Sequence, residues 1–339
     1  MKNSATAPNW LQITWRIVEN FRKLLRGWVS YIRHHKTPDP AYQCMITLHC
    51  LTRGWSNEML HTIAKAFLPK YRIEPKGVLG VSSESEVENV ARGIRRDGYH
   101  QFSHRLPASE CEAFLALARR TPARLLDGTF GVYNAKEPLS QRYSLTEVSL
   151  IDDPHFQKLM CDSSILAVAQ RYLGCAPVLA SVGMWWSPIF GQEPNDDAAQ
   201  MYHFDMERIK WLKFFVYLTD VTRESGPHCF IKGSHRAGGQ PKALLRRRYE
   251  RVGDDEMAEH YPPESFLEFV GPRGTIIAED TRGFHKGRNP MTKDRCVLEL
   301  EFCDSLFGAA YVQQNILQPI NELREAKAAF PRTYAKYFA

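Results

Sequence analysis

QMYHFDMERIKWLKFFVYLTDV, residues 200–221, places a histidine and an aspartate, His203 and Asp205, a few residues ahead of a long apolar run. The run from 211 to 218 is rich in aromatic residues and short enough to read as one buried strand. A His-x-Asp triplet carries little weight alone, because about one arises by chance in a chain of this size. Its position is what matters: a ligand pair at the mouth of a barrel belongs immediately before such a strand.

Two imidazoles and one carboxylate on one face of a metal leave the opposite face open, the donor set of non-haem Fe(II) oxygenases. The stretch GTIIAEDTRGFHKGRNP, 274–290, offers the third donor, His285, after an apolar strand and before a turn. Ten residues later Arg295 opens the strand RCVLELEF. A cosubstrate with a carboxylate at each end needs a fixed cation at its far end, and a guanidinium fork pairs a carboxylate bidentately without losing its proton.

Working outward, 83–102 predicts a helix capped by Ser82 or Ser83, ended at Gly98 and followed by a strand; 108–119 predicts a second helix. Beyond Leu125 short apolar runs at 129–133, 177–186, 212–218, 228–231, 266–270, 275–278 and 296–302 alternate with Gly/Pro turns. That pattern predicts a mainly β core with flanking helices, closed as a jelly roll. A thirty-residue insertion, 236–265, divides two of these runs and holds a basic and then an acidic segment; it is a candidate lid or a solvated helix. The tail, 306–339, returns to helix from about 318.

These segments, in this order, resemble the phytanoyl-CoA dioxygenase family of Fe(II)/2-oxoglutarate oxygenases over roughly 83–305. RRDGYHQF (95–102) with SECEAF (109–114) is similar to the family's N-terminal strand and helix. Gln200 with His203 and Asp205 resembles its metal motif, and YLTDV (217–221) with SGPHCFIKGSHR (225–236) its Gly-Pro and Gly-Ser-His segment. The resemblance implies a double-stranded β-helix with iron held by His203, Asp205 and His285, and with Arg295 on the distal carboxylate of 2-oxoglutarate. It implies O₂-dependent decarboxylation of that cosubstrate coupled to C–H hydroxylation or a related oxidation. Related halogenases carry a small residue in place of the metal carboxylate, so Asp205 points away from halogenation.

Other positions are weighed more evenly. Lys213 interrupts the apolar strand; if it points inward it can meet a carboxylate of cosubstrate or substrate. Thr281 can hydrogen-bond near the cosubstrate or stabilise its turn. Gln200, Tyr202, Met184, Trp185 and Trp186 are candidate pocket residues, although aromatic residues on a strand more often belong to the core. His34, His35, His49, His61, His100, His104, His155 and His260 are read as structural, as is His235.

Residues 1–80 hold 12 Lys/Arg against 4 Asp/Glu, while the remainder holds 32 against 34, so the net +6 belongs wholly to the N-terminal region. No base-stacking or recognition motif accompanies it, which argues against nucleic acid as partner. Within that region 9–35 predicts a basic amphipathic helix, which packs on the main domain or touches a membrane surface; 41–68 predicts a second helix, and 69–82 a linker. The longest uncharged run, 172–192, is interrupted by Gly and Pro and is not a membrane span. Eight scattered cysteines without a CxxC pair read as thiols of a cytoplasmic protein. A small-molecule substrate, anionic or carrier-linked, is the expected partner, with Arg246, Arg247 and Arg248 as candidate contacts.

Overall fold

The computed structural model describes residues 10–191 and 193–338. Three helices come first: α1 (Trp10–His34), α2 (Asp39–Thr52) and α3 (Trp55–Phe67). The single helix expected over 41–68 is two, because Arg53 and Gly54 both take positive φ and turn the chain between them. Helix α4 (Glu84–Asp97) starts at Ser83, whose side chain and that of Glu86 close a reciprocal capping box. It stops at Gly98, φ 96°, where a β-carbon would lie 2.5 Å from the Phe230 ring. Strand β1 (Tyr99–Arg105) and helix α5 (Ala108–Arg120) follow.

The chain then makes three two-residue strands, β2 (Ala123–Arg124), β3 (Phe130–Gly131) and β4 (Tyr143–Ser144). Short helices α6 (Glu147–Ile151), α7 (Pro154–Met160) and α8 (Ser163–Leu173) come next, each opened by a Thr or Asp cap. The β-rich expectation after Leu125 does not hold here: these caps, and the apolar stripe of Ile165, Leu166, Val168, Ala169, Tyr172 and Leu173, make helix instead.

The longer strands are β5 (Val178–Ser187), β6 (Trp211–Tyr217), β7 (His228–Ile231) and β8 (Phe266–Phe269), then β9 (Thr275–Glu279), β10 (His285–Gly287) and β11 (Arg295–Cys303). Helices α9 (Lys242–Leu245) and α10 (Asp254–His260) lie within the insertion; α11 (Asn321–Ala329) is followed by turns rather than more helix. Two antiparallel sheets result. The larger runs β1-β9-β6-β11-β5-β4-β2-β3 and the smaller β10-β7-β8. Phe215 and Tyr217 of the large sheet meet Phe230 and Phe269 of the small one, and helices α4 to α8 bury the large sheet's other face. This is a jelly roll with flanking helices.

Helices α2 and α3 are joined to the rest by more than contact. They share an apolar cluster with Phe204, Trp211, Leu244, Leu245 and Phe307. Glu58 on α3 pairs with Arg282 at 2.8 Å and Lys210 at 2.9 Å, while Arg282 forks onto Asp280 at 2.6 Å, all in or near the interior. His49 bridges Asn57 and Gln240, and Gln240 donates to the Arg282 carbonyl. The N-terminal region therefore braces the loop that ends at His285. Helix α1 turns Phe21, Leu24 and Trp28 toward this body and leaves Trp10, Trp15, Leu25 and Ile32 exposed, with Arg16, Arg22 and Lys23 beside them. Among the described residues no helix is long and apolar enough to cross a membrane.

Candidate metal centre and its two cavities

His203 and His285 lie across from each other on a two-way backbone bridge. His203 N donates to the His285 carbonyl at 3.0 Å, and His285 N donates to the His203 carbonyl at 2.8 Å. Asp205 N donates to the Thr281 carbonyl at 2.9 Å, fixing the third residue to the same loop. The main chain thus sets the spacing of all three.

Each imidazole is oriented in the same way. Nδ1 of His203 donates to the Met201 carbonyl at 2.9 Å, and Nδ1 of His285 to the Gly283 carbonyl at 3.0 Å. A carbonyl only accepts, so the proton is on Nδ1 and the Nε2 lone pair faces the centre. Burial lowers both imidazole pKa values and keeps the rings neutral. One ligand atom from each of His203, Asp205 and His285 lies within 4.8 Å of the others. Burial alone would raise the Asp205 carboxyl, but the Lys213 ammonium at 3.0 Å holds it well below the usual range. Two neutral imidazoles and one carboxylate fit a divalent metal with open positions.

A cavity of about 170 Å³ opens on one side of this group, bounded by the inner face of the large sheet. Strand register selects its lining. Arg295 stands opposite Ser187, Val297 opposite Trp185, Glu299 opposite Gly183 and Phe215, and Glu301 opposite Lys213, all at alternate positions. Arg295 is buried, and neither its Nε nor its Nη1 has a partner; Nη2 makes one long contact, 3.4 Å, to Ser187 Oγ. A buried guanidinium with unsatisfied donors facing a cavity is shaped for an anion. Gly287 makes room for it, since a β-carbon there would sit 2.7 Å from Nη2.

The other expected residues divide by strand alternation. Lys213 points inward and lines the cavity, where its ammonium is engaged by Asp205, Glu299 and Glu301 at 3.0, 3.7 and 3.6 Å. Trp185 lines the cavity with the Arg142 guanidinium 4.4 Å above its ring. Met184 and Trp186 face the opposite way into the core, where Trp186 stacks on Tyr133 at 4.0 Å. Tyr202 likewise turns away, to a separate cavity beside Phe266 and Lys286. Gln200 holds loops together through Asn195 N and Asn289. Thr281 is fully buried, accepts a hydrogen bond from Trp211 Nε1 at 2.8 Å and is not among the residues lining the cavity. His235 donates to or accepts nothing in the cavity and contacts the Arg95 carbonyl.

Several lining residues escaped the sequence reading. His228 of β7 contacts both oxygens of Glu279 at 3.0 Å; burial takes its imidazole down to about 3 and takes the Glu279 carboxyl up to about 8. Arg142, pushed down to about 10 chiefly by burial, comes from β4's leading edge. The period-two pattern of 295, 299 and 301 was the available signal for the glutamates. None pointed to Arg142, which is far away in sequence.

His203 and Asp205 also line a second cavity, of about 250 Å³, with Tyr42, Phe204, Glu207, Tyr249 and Arg251. Tyr42 is on α2, and Tyr249 and Arg251 belong to the insertion, so two segments outside the sheets roof this space. Their tyrosine hydroxyls hydrogen-bond each other. Arg246–Arg248 are not in its wall: Arg247 pairs with Glu250 and Glu256, and Arg248 donates to Thr47.

The family model described as Phytanoyl-CoA dioxygenase (PhyH) matches residues 94–296, more than half of the chain. No curated protein matches. Among solved structures, the epimerase SnoN in complex with Fe3+, alpha ketoglutarate and nogalamycin RO is 20% identical at a TM-score of 0.47, covering 66% of this chain and 85% of that one. HygX from Streptomyces hygroscopicus, with nickel and 2-oxoglutarate bound, is 15% identical at 0.47, with coverages of 70% and 93%. EctD from S. alaskensis in its apoform is 19% identical at 0.46, with coverages of 70% and 87%. All three likenesses are distant.

Proposed function

Since the chain belongs to the phytanoyl-CoA dioxygenase family, whose members are Fe(II)- and 2-oxoglutarate-dependent oxygenases, we propose that it hydroxylates a C–H bond of a small molecule at the centre formed by His203, Asp205 and His285. The observation that carries this reading is the buried Arg295 guanidinium, unsatisfied and facing the same cavity as the three donors. Bound iron, with 2-oxoglutarate and O₂, would supply oxidation through loss of CO₂ from the cosubstrate.

The protein's own residues do the rest. His203 and His285 present Nε2 lone pairs without a prior proton loss, because Met201 and Gly283 carbonyls hold the other nitrogen's hydrogen. Lys213 keeps Asp205 ionised and in place. Arg295 takes the distal carboxylate of 2-oxoglutarate as a forked pair, which also satisfies donors now left without acceptors. Trp185, Phe215 and His228 wall the cavity and exclude water, so the charges inside act at low dielectric.

The test is spectroscopic. Protein prepared without oxygen and given Fe(II) and 2-oxoglutarate should develop the visible charge-transfer band of a 2-oxo acid chelated to iron. His203→Ala should abolish it. A wild-type protein that binds Fe(II) yet gives no band at any cosubstrate level would be a metal-binding jelly roll without this chemistry.

A further inference from the structure

We infer that the outward face of helix α1 is a docking surface for an anionic lipid bilayer: its apolar side chains enter the headgroup boundary and its arginines meet lipid phosphates.

Helix α1 carries two apolar faces, and the fold uses one. Leu24 and Gly27 are buried against the body, and a β-carbon at Gly27 would overlap that of Ala41 on α2. Trp28 packs on Phe307 with ring centroids 4.8 Å apart, and Tyr311 Oη donates to the His35 carbonyl at 2.8 Å just beyond the helix. With that face fixed, the other is left in solvent. Trp15, Val18, Leu25, Val29 and Ile32 recur at steps of three, four or seven residues and so share one side of the helix. Trp15, Leu25 and Ile32 are 63%, 53% and 60% exposed. From Trp15 to Ile32 the stripe is about 26 Å long. A continuous apolar stripe in solvent marks an interaction surface.

Charge identifies the occupant. Arg22, Arg26 and Arg33 edge the stripe: Arg22 lies one turn from Val18 and from Leu25, and Arg26 and Arg33 each lie one turn from Val29. The one acidic residue of the helix, Glu19, is already paired with Lys23 at 2.7 Å, and among the described residues none of these three guanidinium groups has an ion pair. Lipid headgroups supply the missing anions in a plane, above a hydrocarbon layer that takes the apolar side chains. Tryptophan favours that boundary, and Trp10 and Trp15 are both exposed at the start of the helix. A second copy of the chain would match the apolar stripe but not the charge. Arg22 stands near the centre of the stripe, so parallel or antiparallel pairing about that centre sets it against its own counterpart, and like charges repel.

The experiment mixes the full chain with vesicles of phosphatidylcholine, or with vesicles in which a third of the lipid is phosphatidylserine, and measures the protein that pellets with them. Binding should be at least about tenfold tighter to the anionic vesicles and should weaken as salt is raised. Anionic vesicles with brominated acyl chains should quench the tryptophan fluorescence; Trp15→Phe should still bind and be quenched less. Combining Arg22→Gln, Arg26→Gln and Arg33→Gln should weaken binding on the order of a hundredfold. Trp15→Ser with Leu25→Ser should weaken it at least about tenfold at every salt concentration. All these side chains are exposed, so the melting temperatures should match that of the wild type. If the wild-type protein ignores anionic vesicles, or if the substituted proteins bind them as well as it does, the inference is overturned. A dimer in sedimentation equilibrium that Leu25→Ser splits into monomers would assign the stripe to a second copy and overturn it as well. None of these readouts depends on the iron centre.

Discussion

The two cavities that share His203 and Asp205 are built in opposite ways. The Arg295 cavity is largely the inner face of a sheet: its residues alternate along β5, β6 and β11, and neighbours across the strands are fixed by backbone register. The Arg251 cavity shares His203 and Asp205 with it but is assembled from α2, the residues after His203 and an insertion nearly fifty residues later. The first kind of wall fixes a common reaction; the second can be rebuilt without disturbing strand register. Under the proposed function, the common reaction would rest on the sheet, while the wall built from α2 and the insertion is free to vary.

The comparison can be broken or sharpened by substitution. The largest effect is expected at Arg295. Replacement by Gln removes the buried forked pair, worth roughly 2–5 kcal/mol, so the 2-oxoglutarate dissociation constant should rise on the order of a hundredfold in a titration of the charge-transfer band. Arg251→Gln should leave that constant unchanged; a comparable rise there would mean that the two cavities are one site.

Acid should loosen the brace on which the roof rests. Burial takes His49 from an ordinary 6.5 to about 4. Its folded pKa is depressed, so the neutral ring stabilises the fold above pH 6.5. As pH falls from 6.5 toward 4, the unfolded chain gains a proton that the folded chain refuses, and this stability is lost. His49 alone should account for about 2 kcal/mol of the loss between pH 7 and pH 5, read from urea midpoints, and His49→Gln should reduce the loss by about that amount, the rest coming from other buried imidazoles such as His228 and His235.

Thr281→Val should cost about 1–2 kcal/mol by stranding Trp211 Nε1, with no change in cosubstrate affinity. A tenfold loss of affinity would put Thr281 back in the site. The smallest effect is expected from Tyr249→Phe, which removes one hydroxyl pair: about 1 kcal/mol or less, seen as faster amide exchange confined to α2 and the insertion.

How much of this was legible in the sequence follows the same division. The jelly roll and the order His203, Asp205, His285, Arg295 can be read along the chain, because strand patterning and ligand chemistry both leave local marks. Alternation would also have sorted Trp185 from Met184 and Trp186, and Glu299 from its neighbours, once Arg295 had fixed the inward face. Thr281 misled because its neighbourhood in sequence is the metal loop, whereas its hydroxyl points to Trp211, seventy residues away. Tyr42, Arg142, Tyr249 and Arg251 left no sequence signal at all: tertiary packing alone brings them to the centre. The N-terminal helices looked like an appendage by charge, yet Glu58 and His49 bind them into the loop that carries His285.

The His203–His285 backbone bridge and the two Nδ1 contacts fix the spacing and tautomer of the donors through main-chain hydrogen bonds. A metal bound at donors positioned in this way would be an exchangeable part. A chelator should strip it and stop turnover while the fold persists, and readdition should restore activity without refolding, leaving the occupying metal to be decided by whichever divalent ion its surroundings offer.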